Sequence, residues 1–350
     1  MKKSHAILAI LLALIFGLSS CKSAETSSAK EQNEGSNFDK AAEMAKRGLE
    51  KNPNDADAHY QLGISLGFTG DMAGAYRELS LAGKLDPKKL PDVETNIKAN
   101  WSKHYDSGMA ELQSNAARGA AHEFDLATQA DPRQIKAWLN LGKVYFSMAE
   151  TDSTYMLKTY ATVDSLIARN KDKKDPNYDK SLAFEGIILA KRGMNAQARA
   201  IFEEYLGIDP AEHKTVQESA VGYLNKKDWQ SARDLLELVV AAQQKTNSET
   251  FDAYYNLGAA CMNLKDLPKA IEAFTQAVQI DPESKKGRYY LLLADFQGEQ
   301  YDDAILVGQE YTTKYPDDAN GWRILGFSYG KKGMTMKADE AARKAATLRQ

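Results

Sequence analysis

The chain has 350 residues, enough for two or three ordinary domains or one extended array, and its 43% hydrophobic content excludes a disordered tail. Its 45 basic and 48 acidic residues leave a formal charge of -3, without the basic excess or stripe of a dedicated nucleic-acid binder. Two cysteines can build neither a disulfide framework nor a Cys-based zinc site.

The first element is an N-terminal segment with a basic head, Met1-Lys2-Lys3, followed by an apolar run from Ala6 to Leu18. A bilayer core takes roughly 20 helical residues to cross, so this run is too short to span and reads as the core of a secretion signal, residues 1–20. Leu18-Ser19-Ser20-Cys21 then resembles the lipobox of bacterial lipoproteins. That resemblance implies a diacylglyceryl thioether on Cys21, cleavage before it and acylation of its new amine, so that the membrane partner is reached through the lipid. Acyl chains contribute about 0.8 kcal/mol per buried methylene, and several on one residue anchor firmly. Lys22 stands where an Asp would direct retention at the inner membrane under the enterobacterial sorting rule. The expected location is therefore the bacterial envelope, at the periplasmic face of the outer membrane. Residues 21–36 are small, polar and charged, without apolar periodicity, and are expected to be a flexible tether.

From residue 37 onward an internal repeat organises the chain. Ala41, Ala75, Ala120, Ala198, Ala232, Ala270, Ala304 and Ala338 succeed one another at gaps of 34, 45, 78, 34, 38, 34 and 34. A 34-residue period with excesses of 11, 10 and 4 accounts for the series, with insertions near 88–98, 150–176 and 247–250. Pro53, Pro87, Pro132, Pro176, Pro210, Pro282 and Pro316 punctuate the units, since proline cannot continue a helix and restricts the residue before it. The copy from Phe251 to Ser284 is the cleanest. Tyr254, Leu257, Gly258 and Cys261 share one face of a first helix, and Ala270, Phe274 and Ala277 one face of a second. Tyr155, Tyr160, Val163 and Ile167, in the second insertion, are expected to lie on a lengthened second helix with a lysine-rich exit.

These residues resemble the tetratricopeptide repeat, whose period is 34 and whose signature runs Trp, Leu-Gly, Tyr, Ala, Phe, Ala, Pro. Leu-Gly stands at 62–63, 141–142, 257–258 and 325–326, and Trp138 to Tyr145 and Trp322 to Tyr329 carry the whole first-helix signature. Ala342 replaces the usual aromatic in the last copy. The resemblance implies an all-α fold, a right-handed superhelical solenoid. It covers 37–350 as about eight units, preceded by a half unit at 37–54 that supplies only a second helix.

Apparent catalytic motifs fail on context. Gly63 to Gly67 and Gly326 to Gly330 match G-x-S-x-G, but a nucleophile elbow joins a strand to a helix, and both matches fall at one repeat position inside a first helix. His59 and His104 occupy the bulky slot that Trp138, Tyr254 and Trp322 fill elsewhere, so core packing is expected. No histidine has a partner at metal-ligand spacing. Cys261 takes the slot of Tyr145 and Tyr329 and is expected to be a buried thiol. No catalytic residue, metal site or cofactor is expected, and the chain reads as a non-enzyme.

What remains is a surface. First helices line the concave side of such a solenoid. One helical step outward from their core face stand Tyr60, Tyr105, Tyr255 and Tyr289, and further along come Phe68, Met109, Phe146, Met262, Phe296 and Phe327. Such a lining suits an apolar peptide segment or helix laid into the groove. Packing of some of these rings between adjacent units is the competing reading. The expected function is a scaffold or adaptor for another envelope protein, with no role for nucleic acid. The alternative is a carrier of a small apolar ligand or cell-wall fragment.

Overall fold

The computed structural model describes residues 23–348. Eighteen α-helices make up the described residues, paired as nine antiparallel hairpins. The first four hairpins are α1 (Ala24–Glu34) with α2 (Phe38–Lys51), α3 (Ala56–Thr69) with α4 (Met72–Leu85), α5 (Leu90–Gln113) with α6 (Ala117–Ala130), and α7 (Ile135–Met148) with α8 (Tyr155–Arg169). The other five are α9 (Tyr178–Arg192) with α10 (Asn195–Ile208), α11 (His213–Asn225) with α12 (Trp229–Thr246), α13 (Phe251–Asn263) with α14 (Leu267–Ile280), α15 (Lys285–Gln297) with α16 (Tyr301–Lys314), and α17 (Ala319–Lys331) with α18 (Thr335–Thr347). The chain divides at Asn177 and Tyr178 into two compact units, and within each the hairpins stack in chain order as a helical solenoid.

The aspartate-proline steps work as the period requires, with a division of labour between the two residues. Proline stops the helix, while the aspartate side chain accepts from the backbone N–H two residues on. Asp86 receives Lys88 at 3.1 Å, Asp131 receives Arg133 at 3.2 Å, Asp209 receives Ala211 at 2.9 Å and Asp281 receives Glu283 at 3.1 Å.

Within a hairpin the helices cross where a small residue meets a large one sixteen positions later. A Cβ placed on Gly108, Gly186 or Gly258 would lie 2.8, 2.5 or 2.8 Å from the ring of Phe124, Phe202 or Phe274, and Gly63 approaches Leu79 as closely. All three of those rings are fully buried. In the hairpin of α15 and α16 the sizes are exchanged: Leu292 holds the glycine slot and Gly308 the aromatic slot, and a Cβ on Gly308 would meet Leu292 Cδ1 at 3.2 Å. A large residue in the glycine slot is thus matched by a glycine opposite.

The stretch expected as a flexible tether, 21–36, is helical over most of its described part, from Ala24 to Glu34. Ser23 caps α1 by accepting from Thr26 N–H at 3.0 Å, and the helix docks against α3 through polar side chains. Thr26 Oγ1 donates to Asp55 Oδ2 at 2.8 Å, Asn33 Nδ2 donates to the Gln61 carbonyl and to Gln61 Oε1, both at 2.9 Å, and Ser65 Oγ donates to Asn33 Oδ1 at 2.9 Å. Apolar periodicity cannot find a helix that is attached this way. The expected half unit at 37–54 is therefore a complete hairpin. The signal at 1–20 and the Cys21 site lie outside the described residues.

Each insertion has its own accommodation. The excess at 88–98 lengthens a first helix, making α5 24 residues long. The excess near 247 adds a turn to α12, which ends on Asn247 in the left-handed region at φ 49°. The excess within 150–176 was expected to lengthen a second helix. Instead α8 has 15 residues, one more than α7, and the extra length lies in the connections on either side of it.

The exchange of sizes predicts how the crossings respond to substitution. Gly258→Leu alone overpacks a full site and should cost about 1–3 kcal/mol. Phe274→Gly alone opens a cavity and should cost about 3–5 kcal/mol. The double variant rebuilds the arrangement of Leu292 and Gly308, and urea unfolding should find it clearly more stable than the two losses summed.

Candidate functional site

The structure places all ten candidate groove residues on first helices, five in each unit, yet within each unit it separates them into two rows. Among the tyrosines, Tyr105 is 4% exposed and belongs to the core: it stacks on Trp101 at 4.8 Å between ring centroids, and its hydroxyl accepts from Asn140 Nδ2 at 2.8 Å. Tyr60 is half-buried beside Leu79 and Ile97, with its hydroxyl accepting from Asn96 at 3.0 Å. Tyr255 lies among Phe251, Phe274 and Tyr290, and burial pushes its hydroxyl up to about 12. Tyr289 packs edge-on against Tyr290 at 5.4 Å and near Tyr311 at 6.0 Å. This row joins one hairpin to the next.

For three of the four tyrosines a lysine from the following hairpin, or from the turn leading into it, completes that joint. Lys136 Nζ lies 4.5 Å from the Tyr105 ring centre, Lys286 Nζ 4.6 Å from that of Tyr255, and Lys89 Nζ 5.6 Å from that of Tyr60. A cation held over a ring face is attracted by the ring quadrupole out to about 6 Å from its centre. The available signal for these lysines was a recurrent spacing, since Lys136 stands as far beyond Tyr105 as Lys286 does beyond Tyr255. Tyr105 therefore leaves the candidate surface, and the other three tyrosines serve chiefly as glue.

The second row keeps more of its surface. Phe68 is 64% exposed and stacks face to face on Phe38 at 4.0 Å, and Phe327 is 55% exposed and stacks on Phe296 at 6.1 Å. Met109, Phe146, Met262 and Phe296 are half-buried. Met109 and Met262 also pack against the cores formed around Phe124 and Phe274. At the end of the second unit a cavity of about 840 Å³ opens beside Phe296 and Phe327, lined also by Ala338, Ala342, Ala345, Arg323, Lys331 and Asp339.

The bulky slot that His59 occupies has a polar task missed by sequence reasoning. In four hairpins a side-chain N–H there donates to the carbonyl of the proline six residues earlier: His59 Nε2 to Pro53 at 2.9 Å, Trp138 Nε1 to Pro132 at 3.1 Å, Arg288 Nε to Pro282 at 2.8 Å and Trp322 Nε1 to Pro316 at 2.8 Å. A carbonyl only accepts, which assigns the hydrogen to His59 Nε2. His59 Nδ1 faces Glu78 at 2.6 Å and His104 Nδ1 faces Glu123 at 2.8 Å. The insertion at 88–98 leaves Lys98, inside α5, six residues before His104, and His104 Nε2 has no protein partner.

Ser65 and Ser328 are both fully buried; the Ser328 hydroxyl donates to the Ile324 carbonyl at 2.9 Å, and the single Ser65 hydroxyl hydrogen is shared between the Gln61 carbonyl and Asn33 Oδ1, each at 2.9 Å. Neither stands on a nucleophile elbow. Cys261 is buried, and desolvation first, with Asp266 second, pushes its thiol up to about 11, which keeps it protonated. No group of His, Cys, Asp and Glu able to hold a metal ion occurs among the described residues, and no described helix is long and apolar enough to cross a membrane.

One period after Cys261, the same slot holds Asp295, 2% exposed. Burial first, and the nearby Asp303 second, push its carboxyl up to about 7. Unfolding returns it toward its ordinary value of 3.8, so between these limits the folded state holds a proton that the unfolded state releases. Its contribution to stability therefore falls as pH rises through that window and is least favourable above about 7. Asp295→Asn should stabilise the protein by about 1–3 kcal/mol at pH 8, and the gain should shrink toward pH 5 in paired thermal melts.

Residues 251–284 match the tetratricopeptide repeat family profile. No curated protein matches the chain. Among solved structures, YrrB, described as a TPR protein with an unusual peptide-binding site, is 19% identical to this chain, with a TM-score of 0.40 over 50% of this chain and 89% of its own. A crystal structure of MamA is 21% identical, with a TM-score of 0.37 over 47% of this chain and 94% of its own. A further MamA structure is 16% identical, with a TM-score of 0.29 over 71% of this chain and 91% of its own.

Proposed function

We propose that this chain, a tetratricopeptide-repeat protein, is a scaffold that holds another protein of the bacterial envelope against the first-helix surface of its hairpins, while a lipid on Cys21 ties it to the membrane. The observation that carries the binding half is the second row of rings. Phe68 and Phe327 present most of their surface to solvent, whereas Met109 and Met262 in the same row are half-buried. Exposed rings on rigid helices supply contact area at little entropic cost, which suits capture of an apolar peptide face. The membrane half rests on the lipobox resemblance at Leu18 to Cys21 and on the apolar run before it.

A photoreactive residue at Phe68 or at Met262 tests the binding surface in cells, with the exposed second-helix position Glu272 as the outward control. A dominant protein adduct at the first two positions and none at Glu272 is the expected result. Equal adducts at all three would remove the surface from consideration, and adducts carrying lipid or glycan mass would turn the reading toward a small-ligand carrier. For the anchor, Cys21→Ala should abolish incorporation of labelled fatty acid and move the protein out of the membrane fraction. Unchanged fractionation would overturn the lipid attachment.

A further inference from the structure

Cys261 leaves a space that other hairpins fill with a ring. Tyr145, Tyr223 and Tyr329 hold its slot on α7, α11 and α17. Beside Cys261 lies a cavity of about 300 Å³, lined by residues of α12, α13 and α14. Tyr254, Leu257 and Ala273 are part of that lining. They stand two periods before Trp322, Leu325 and Ala341, which pack in one cluster with Tyr329. The cavity is thus the socket of Tyr329 repeated without its ring. Described hairpins of the same unit flank it on both sides.

The polar end of the socket is also in place. Tyr329 Oη accepts from Gln309 Nε2 at 2.7 Å, on the second helix of the preceding hairpin. The Tyr223 hydroxyl likewise meets Asn195 Oδ1 of its preceding second helix at 2.8 Å, with the Ala190 carbonyl as a second acceptor at 3.3 Å. Gln309 stands five residues after Ala304, and the residue five after Ala232, the matching alanine of α12, is Glu237. Glu237 lines the cavity. Its Oε1 accepts from Lys269 Nζ at 2.7 Å and has Arg233 Nε at 4.0 Å, while Oε2 has no hydrogen-bond partner among the described residues. A carboxylate oxygen only accepts, so the socket calls for a hydroxyl that donates.

Charge and size narrow the occupant. Glu237, Lys269 and Glu272 are the charged residues of the lining, one cation against two carboxylates, which disfavours a ring that carries a negative charge of its own. A volume of about 300 Å³ lies at the small end of ligand pockets and holds one substituted ring. The ion pair of Lys269 and Glu237 ties α14 to α12 beside the cavity, which suits a small molecule better than a side chain that brings a peptide backbone. A sulfur beside a ring is itself a favourable contact. We infer that the cavity beside Cys261 is a binding site for a free, uncharged single-ring phenol, with its ring in the vacant tyrosine socket and its hydroxyl on Glu237. This site is separate from the first-helix surface proposed above, since its exposed lining residues, Gln244, Lys269 and Glu272, stand on second helices.

The test adds 4-methylphenol, the tyrosine side chain as a free molecule, to the purified chain, with toluene as the twin that lacks the hydroxyl. Ligand-observed NMR titration should find 4-methylphenol bound roughly tenfold more tightly, because only it satisfies Glu237. Cys261→Tyr refills the socket with a residue found in that slot elsewhere in the chain, so it should keep the wild-type circular dichroism and lose 4-methylphenol binding. Glu237→Leu, at a half-buried position, should bring the two ligands to equal affinity. In the unaltered chain, saturating 4-methylphenol should slow alkylation of Cys261 about threefold or more, read by mass spectrometry on its own peptide. Toluene binding as tightly as 4-methylphenol, 4-methylphenol binding that survives Cys261→Tyr, or no binding of either ligand overturns the site. N-acetyltyrosinamide binding as tightly as 4-methylphenol would overturn the free ligand in favour of a tyrosine on a partner chain. Cys261→Tyr should leave the adduct expected at Phe68 unchanged, so this site and the first-helix surface fail separately.

Discussion

Close approach between the two helices of a hairpin is the constraint on which the rest depends. With Gly258 against Phe274 the backbones approach until a ring fills the space that a Cβ would take. That distance sets where the second helix presents Ala270 and Ala277, both fully buried, and hence where the next hairpin can lie. Interiors packed to crystal-like density tolerate neither a void nor an extra methylene at such a point. The hairpin with Leu292 in the glycine slot and Gly308 in the aromatic slot respects the same constraint with the sizes reversed. Matched volume at the crossing, and not any particular residue, is what the architecture requires.

Most of the helical framework was legible in the residues because it follows from two signals with direct physical causes. Proline interrupts a helix wherever it falls, and an apolar face repeats at helical spacing. Both failed at α1. Its mean composition is polar, and Thr26, Asn33 and Ser23 hold it by hydrogen bonds that no hydrophobic pattern records. Ala29 is its single fully buried apolar side chain, too little to mark a periodic face. The same blindness hid the use of the slot shared by His59, Trp138, Arg288 and Trp322. Three unlike residue types converge there because each offers an N–H at a similar reach, and shape alone made the slot look like ordinary packing.

The candidate surface was half legible for a related reason. Position along a helix says which residues share a stripe, but not which neighbour covers the stripe. The tyrosine stripe is covered by lysines from the following hairpin, Lys136 over Tyr105 and Lys286 over Tyr255, so its rings are spent on joining one repeat to the next. One step further along the same kind of helix, Phe68 and Phe327 escape that cover. A tyrosine hydroxyl needs a partner when buried, and Asn140 and Asn96 supply it for Tyr105 and Tyr60. Phenylalanine makes no such demand, which leaves it free to stand at the boundary between core and solvent.

The first and last described hairpins differ in how they present their outer faces. In the first described hairpin α1 exposes polar and charged residues, Glu34 among them, and docks inward through polar contacts. The hairpin of α17 and α18 takes another course. Its hollow is lined mainly by alanine and glycine beside Phe296 and Phe327, with Arg323, Lys331 and Asp339 as its charged residues. Small residues limit the apolar area offered to water while keeping the depth of the hollow.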